Sequence, residues 1–342
     1  MRKITRRSFL TAAAACGAAA ALSACGGSSS ASSAAASSTV ASASVAAASN
    51  GEKFTVGICQ LVQHAALDAA TQGFEDALTA SFGENVTFDF QNAQGDSATC
   101  ATIANGFVSS GVALIMANAT PALQAAQAAT NTIPILGTSV TEYGVALGLD
   151  NFSGTVGGNV SGTSDLADLS KQADMITEWF PDAKKVGLLF CSGEPNSRYQ
   201  IEEVATCLAN KGIETQEFAF TDTNDVASVT QSAADYSDVV YIPTDNAAAS
   251  NTEAIANILV PAGVPAICGE EGICSGCGVA TLSISYYDLG VTTGKMAAKI
   301  LTGEADISTM PIEYTDATPK YNPTICDTLG ITPLDGYTAI EG

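Results

Sequence analysis

The sequence predicts an α/β protein: two similar, doubly wound parallel-sheet lobes joined by a multi-strand hinge. Three observations predict it. Apolar strand-like runs alternate with helix-spaced runs, the pattern of a parallel sheet with helices on both faces. Seven such elements recur in the same order in the two halves of the chain. Two of the runs also end alike. Val239-Val240-Tyr241-Ile242 stops at Pro243 and passes through Thr244, Asp245 and Asn246 into a helical run. Ala113-Leu114-Ile115-Met116-Ala117 passes through Asn118, Ala119 and Thr120 into another. Open α/β sheets bind ligands at such strand tips, and 342 residues are enough for two domains of this kind.

The first copy opens with a buried strand at 54–59 and a helix at 65–80, whose apolar stripe is Leu67, Phe74 and Leu78. A strand at 86–90, a polar loop at 91–96, a helix at 97–109, a strand at 113–117, a helix at 121–130 and a short strand at 133–137 complete it. The second copy places strands at 185–190, 214–220, 239–242 and 264–268, with helices at 196–211, 225–234 and 247–259. Ile133-Pro134 is echoed by Val264-Pro265. Between the copies, 151–165 is rich in Gly, Ser and Thr and reads as a crossing between lobes. Asp165 stands there before a helix marked by Leu166, Leu169, Met175, Ile176 and Trp179. Residues 280–285 read as a strand returning to the first lobe, 289–301 as a helix there and 312–331 as a last crossing. Lobe 1 is expected from 53–163 plus about 285–308, and lobe 2 from 164–284 plus about 309–342. Several crossings side by side make a hinge that permits closure around a ligand.

The N-terminus reads as an export leader over 1–24. A basic start (Arg2, Lys3, Arg6, Arg7) precedes an Ala-rich apolar stretch too short to span a membrane. Leu22-Ser23-Ala24-Cys25 has the form of a bacterial lipobox, with Cys25 as the lipidated first residue. Thr5-Arg6-Arg7-Ser8-Phe9-Leu10 has the form of a twin-arginine export signal. Residues 25–52 are nearly all Ser, Ala and Val, cannot bury a core, and read as a flexible tether. The expected location is the extracytoplasmic face of the cell membrane, held by a lipid. Lys and Arg number 13 against 35 Asp and Glu, and the leader takes four of the bases. Such a chain repels nucleic acid and anionic surfaces.

Beyond Cys25, eight cysteines remain: Cys59, Cys100, Cys191, Cys207, Cys268, Cys274, Cys277 and Cys326. Cys274-Ser275-Gly276-Cys277 has metal or redox spacing, but no second pair accompanies it. A structural zinc needs four ligands, so the expectation is no metal and either a local disulfide or free thiols. There is no HExxH, Walker loop or serpentine Gly-x-Ser-x-Gly turn, and the Gly-rich stretch 154–162 does not join a strand to a helix. Neither an enzyme nor a cofactor is expected.

Several stretches taken in order carry a family likeness. They are Gln60-Leu61-Val62-Gln63-His64-Ala65-Ala66-Leu67-Asp68, Phe90-Gln91-Asn92-Ala93-Gln94-Gly95-Asp96, Ala119-Thr120-Pro121, the run from Gly158 to Leu166, Glu194-Pro195-Asn196-Ser197, Pro243-Thr244-Asp245-Asn246 and Tyr286-Tyr287-Asp288-Leu289-Gly290. From about Phe54 onward the chain resembles the TrpX-like ABC-transporter substrate-binding proteins. The resemblance implies a type I periplasmic-binding fold, a small-molecule ligand that is tryptophan or another aromatic amino acid, and an ABC permease with its ATPase as partner. A monomer is expected.

An amino acid brings a carboxylate, an ammonium and a side chain. Thr120, Thr138 and Ser139, at strand and helix ends of lobe 1, are the candidates for the carboxylate, because helix N-termini offer unpaired N–H groups. Asp245 and Glu194, just past lobe 2 strands, are candidates for the ammonium through charge-assisted hydrogen bonds. Asp245 can equally cap the helix behind it, and Glu194 can equally be a solvated loop acid. Asn196 and Ser197 either meet the ligand or cap. Of Ser164 and Asp165, one caps and the other lines the cleft. Gln60, Gln63 and His64 follow the first strand at the cleft mouth, with Asp68 placed to pair with His64. Glu270 stands in lobe 2 where Thr138 stands in lobe 1, and Asn246 adjoins Asp245. Two other readings stay open here: a purine-nucleoside or sugar carrier on the same fold, and a membrane-tethered sensor. Sugar sites stack the ring on aromatics, which are sparse near these tips, Tyr143 and Phe152 excepted.

Overall fold

The computed structural model describes residues 52–341. The leader, Cys25 and, but for Glu52, the tether lie outside the described residues. Chain order starts with β1 (Phe54–Gln60), α1 (Ala65–Phe82), β2 (Val86–Asn92), α2 (Ser97–Ser110), β3 (Leu114–Asn118), α3 (Thr120–Ala129), β4 (Ile135–Val140), α4 (Tyr143–Leu147) and β5 (Val160–Ser164). The second group is α5 (Leu169–Trp179), β6 (Lys185–Cys191), α6 (Pro195–Asn210), β7 (Glu214–Phe220), α7 (Val226–Tyr236), β8 (Val239–Ile242), α8 (Asn246–Ala249), α9 (Thr252–Ala262), β9 (Ala266–Cys268), α10 (Glu271–Cys277) and β10 (Ala280–Ser283). α11 (Tyr286–Leu301), β11 (Glu313–Tyr314), β12 (Thr318–Tyr321), α12 (Pro323–Leu329) and β13 (Thr338–Ala339) close the chain.

The strands form two sheets, ordered β11-β5-β4-β3-β1-β2 and β13-β12-β10-β9-β8-β6-β7. The first is parallel throughout; in the second only the β10–β12 pair is antiparallel. The orders superpose when β1 to β5 are set against β6 to β10, so the internal repeat is a repeat of topology. Each sheet is coated on both faces by apolar clusters, one pair around Ile115 and Met116, the other around Tyr241 and Val240. No helix among the described residues is long and apolar enough to cross a membrane.

The fifth strand of each lobe departs from the sequence reading. Residues 160–164 form β5, inside the first sheet, rather than a crossing. Residues 280–283 form β10, inside the second sheet between β9 and β12, rather than a strand returned to lobe 1. β5 is short and built mostly of small, polar residues, so little marks it as a strand, whereas β10 reads as a strand but carries no local signal of the sheet it joins. In β5 smallness is required: a Cβ on Gly162 would run into the Gly137 backbone and the Tyr143 hydroxyl, and its φ is 147°. The chain changes lobe just after each fifth strand, between β5 and α5 and again at Ile284-Ser285. α11 then lies against α1, where a side chain on Gly73 would strike the Tyr287 carbonyl and one on Gly290 the Ala70 carbonyl. The last change comes after β11, which still pairs with β5 in the first sheet, so the passage to lobe 2 falls at 315–317 rather than near 309.

The helix expected at 247–259 is broken into α8 and α9. Ser250 Oγ donates to the Asn246 carbonyl and Asn251 Nδ2 to the Ala247 carbonyl. Side chains that take up backbone acceptors in this way compete with helix continuation. The result is a single turn at the β8 tip, held by its cap, Asp245.

Candidate ligand-binding site

The C-terminal tips of β1 and β4 face those of β6, β8 and β9 across the cleft. Between them lies a small, tightly shut cavity of about 10 Å³. Lobe 1 contributes His64, Leu67, Ser139 and Thr141, lobe 2 Asn196, Thr244, Asp245, Asn246, Ala249 and Glu270, and the crossings Asp165 and Tyr286.

On the lobe 1 side, β4 ends in an irregularity against β5 between Gly137 and Val140, and Ser139 takes a left-handed φ of 53°. Such strain in a non-glycine residue persists where the surroundings enforce it and clusters at ligand sites. Ser139 Oγ is buried with no hydrogen-bond partner among the described residues. Asp165 is buried; its Oδ2 accepts from Tyr286 Oη at 2.9 Å, and its Oδ1 has no partner. Burial lifts this carboxyl to about 6, against the opposing pull of Tyr286 and Thr141. His64 lies just before α1 but does not cap it. Its Nε2 is 3.3 Å from Asn246 Oδ1 across the cleft, and its Nδ1 is buried without a partner. Burial lowers the His64 pKa, with Asn246 and Asp68 pulling the other way. The Asp68 carboxylate does not bond to the His64 ring; it accepts from Gln60 at 2.7 Å, while Gln60 also accepts from Thr71.

On the lobe 2 side the acids are already occupied. Asp245 Oδ1 accepts from the Ala248 N–H at 2.8 Å, and Oδ2 from the Cys191 N–H at 2.6 Å and Ser197 Oγ at 2.7 Å. Its carboxyl is pushed up to about 7 by burial and by the neighbouring Glu194. Glu270 caps α10 through the Gly272 and Ile273 N–H groups and is lifted to about 7 by burial. Glu194 accepts from the Asn246 N–H at 3.0 Å, the Ala247 N–H at 2.9 Å, and the side-chain amides of Asn246 at 2.7 Å and Asn196 at 3.1 Å. Asn196 Nδ2 is so engaged, and also donates to the Thr244 carbonyl, but its Oδ1 has no partner.

Not every candidate reaches the cavity. Gln63 is exposed and outside it, because the polar turn before α1 points it to solvent. Thr120 is buried in the first turn of α3 and Thr138 lies in a hydroxyl cluster with Thr163 and Thr293 at 3.2 and 3.1 Å; neither lines the cavity. Ser164 donates to the Thr141 carbonyl and accepts from the Leu166 N–H, the capping half of the Ser164/Asp165 pair. Ser197 is spent on Asp245, and Glu194 faces a neighbouring open groove instead. Three polar lining residues were not among the candidates. Tyr286 was in view within the 286–290 stretch, and its place before a helix at a crossing was the available signal; Thr141 and Thr244 carried none beyond proximity to strand tips. Below the lobe 2 wall, Cys268, Cys274 and Cys277 are buried together in one apolar cluster as free thiols.

A family model described as ABC transporter substrate binding protein matches residues 55–336. A twin-arginine translocation signal sequence matches residues 3–23, so the chain is exported to an extracytoplasmic location. A tyrosine-binding protein from Clostridioides difficile (strain R20291) is 36% identical over 281 residues, which is 79% of this chain and 81% of that one. The solved ABC domain in complex with L-Trp from Streptococcus pneumoniae is 29% identical, with a TM-score of 0.80 over 84% of this chain and 100% of that one. The ligand-free, open structure of a substrate-binding protein with adhesive properties from Clostridium difficile is 36% identical, with a TM-score of 0.65 over 84% and 99%. The lobes and cleft thus have the type I periplasmic-binding architecture, and the chain belongs to the ABC transporter substrate-binding protein family.

Proposed function

We propose that this chain captures a free aromatic amino acid, tyrosine or tryptophan, by closing its two lobes over it, and presents it to an ABC permease driven by its ATPase. One observation carries the reading. Ser139 Oγ, Asp165 Oδ1, His64 Nδ1 and Asn196 Oδ1, drawn from both lobes and a crossing, converge on one cavity as buried polar atoms without partners. Buried polar groups in folded proteins are almost always paired, so four together mark a place built for a polar solute. The charge pattern selects among solutes. Asp165, Asp245 and Glu270 line the cavity and no Lys or Arg does; the single Arg beyond the leader, Arg198, pairs with Glu217 instead. An ammonium answers that field, and a neutral sugar or nucleoside does not. In this reading Asp165, rather than Asp245, anchors the ammonium, because Asp165 Oδ1 has no partner while both oxygens of Asp245 already accept hydrogen bonds. Ser139 serves the carboxylate, and Leu67, Ala249 and the Tyr286 ring are the apolar wall for the side chain.

The ligands of the two relatives support an aromatic amino acid. So does shape: the chain follows the Trp-bound relative more closely than the open one, although the open one is nearer in sequence. The tether reading completes the proposal: cleavage before Cys25, a lipid on its thiol, and a non-catalytic monomer at the outer face of the cell membrane. Calorimetry of the purified domain with the common amino acids, nucleosides and sugars tests the ligand. Micromolar or tighter binding of tyrosine or tryptophan is expected; binding of a sugar or nucleoside in their place would overturn it. Labelling with a radioactive fatty acid, lost in Cys25→Ser, tests the anchor.

A further inference from the structure

We infer that His64 is the latch of the closed cleft: its Nε2–H ties lobe 1 to Asn246 of lobe 2, and its bare Nδ1 accepts an N–H or O–H donor of the bound solute. Among the described residues, this is the one side-chain hydrogen bond that joins the lobes away from the crossings. Its direction follows from the groups behind it. Asn246 gives its Nδ2 to Glu194 at 2.7 Å, and Glu194 is itself fixed by the Asn246 and Ala247 N–H groups. The amide can therefore turn only its oxygen toward His64. An amide oxygen accepts and never donates, so the proton sits on Nε2. A neutral imidazole with Nε2–H carries a lone pair on Nδ1. That atom is buried, does not cap α1, and belongs to a residue on the cavity wall. Glu194, which does not line this cavity, thereby acquires a part: it orients the amide that selects the tautomer.

Closure and ligand sensing are joined in one ring. A solute with a donor opposite Nδ1 completes the ring's second hydrogen bond only when the lobes are shut. A solute presenting an acceptor there meets lone pair against lone pair and leaves the latch open.

The inference rests on the amino-acid reading of the cavity, and the test separates the two. His64 is the only histidine, so ¹⁵N-histidine labelling gives one pair of ring nitrogens. In the complex with L-tyrosine or L-tryptophan the proton is expected on Nε2, with Nδ1 shifted as a hydrogen-bonded acceptor. In Asn246→Ala the preference is expected to collapse to a tautomer mixture. His64→Phe is expected to lose ~10- to 100-fold in affinity while still folding, as judged by circular dichroism. Equal losses for tyrosine and phenylalanine place the donor on the ammonium; a loss confined to tyrosine places it on the phenol. A proton on Nδ1 in the complex, or binding by His64→Phe within about threefold of the wild type, would overturn the latch. If the wild type binds no aromatic amino acid, the ligand reading fails. The spectrum is then taken with whichever solute binds, and the Nε2–H tautomer still decides the latch.

Discussion

The two walls of the cleft are built on the same topology and furnished in opposite ways. In lobe 2 each acid at a strand tip is consumed by its own fold: Asp245 by three donors, Glu270 by the first N–H groups of α10, Glu194 by four donors. On the lobe 1 side and its crossing, Ser139, His64 and Asp165 each keep a polar atom in reserve. The acids of lobe 2 therefore hold its own helices in place, and Asn196 Oδ1 is the one buried lining atom there without a partner among the described residues. Lobe 1 and its crossing present most of the groups that still need a partner. A residue's place in the repeat does not fix its role; the number of lone pairs its neighbours leave unused does.

The sharpest way to break that contrast is to neutralise one acid on each side. Asp165→Asn keeps the shape and can keep the bond to Tyr286, but it turns an NH₂ group toward the ligand ammonium. A lost charge-assisted hydrogen bond and a new donor–donor clash are expected to cost about 3 kcal/mol, roughly a hundredfold in Kd by calorimetry. Thermal stability should hold or rise, since a buried carboxyl has been removed. Asp245→Ala should do the reverse. It strands the Cys191 and Ala248 N–H groups and the Ser197 hydroxyl, partly offset by relief of repulsion with Glu194. A loss of about 2 kcal/mol, roughly 4–8 °C in Tm by calorimetric scan, is expected. If Asp165→Asn melts early and Asp245→Ala binds weakly at unchanged Tm, the assignment of the two walls is inverted.

The sequence made the strand tips legible but not the occupancy of the side chains on them. Asp245 looked like an ammonium anchor because an acid after a buried strand and before a helix satisfies both descriptions, capping and binding. Only the spatial approach of Cys191 and Ser197, 54 and 48 residues away in sequence, shows that its oxygens already serve the fold. Thr138 failed for a similar reason. Its hydroxyl is taken by Thr293 of α11, which returns from the far side of lobe 2. Ser139 and Asp165 were in view because one stands at a strand end and the other at a crossing, both of which the sequence pattern marks. β5 was the part of the fold least visible, since close backbone packing at Gly162 demands small residues that also mark loops, while β10 read as a strand and only its sheet was hidden.

The acids give the contrast a pH signature. Asp165 is held at about 6, and Asp245 and Glu270 at about 7, by burial. All three lie above the carboxylate range of an unfolded chain, about 4. The folded, ligand-free protein therefore keeps protons that the unfolded chain has released. The contribution of these acids to stability is greatest below about pH 4 and declines as pH rises toward 7. The ligand's ammonium favours the charged carboxylate, so binding expels protons and strengthens across the same window. An increase of about tenfold in affinity from pH 5 to pH 7 is expected, with proton release seen as a buffer-dependent calorimetric enthalpy. In Asp165→Asn the increase should shrink, because the acid nearest the ammonium no longer titrates. An unchanged profile in that variant would assign the proton release to Asp245 or Glu270 and weaken the division between the walls.

The smallest effect probes the strain at Ser139. Its left-handed φ of 53° costs a serine more than a glycine, and its hydroxyl has no partner within the fold. If the fold alone mattered, Ser139→Gly would be stabilising and silent toward ligand. If the bulge exists to aim this hydroxyl at the ligand carboxylate, the same change raises Tm slightly and weakens binding about fivefold, the worth of one modest hydrogen bond. Ser139→Ala separates the two contributions, since it removes the hydroxyl but keeps the strain: affinity should fall as in the glycine variant, with no gain in Tm. A glycine variant that gains stability without losing affinity would leave lobe 1 with one fewer reserved group and make its wall resemble that of lobe 2.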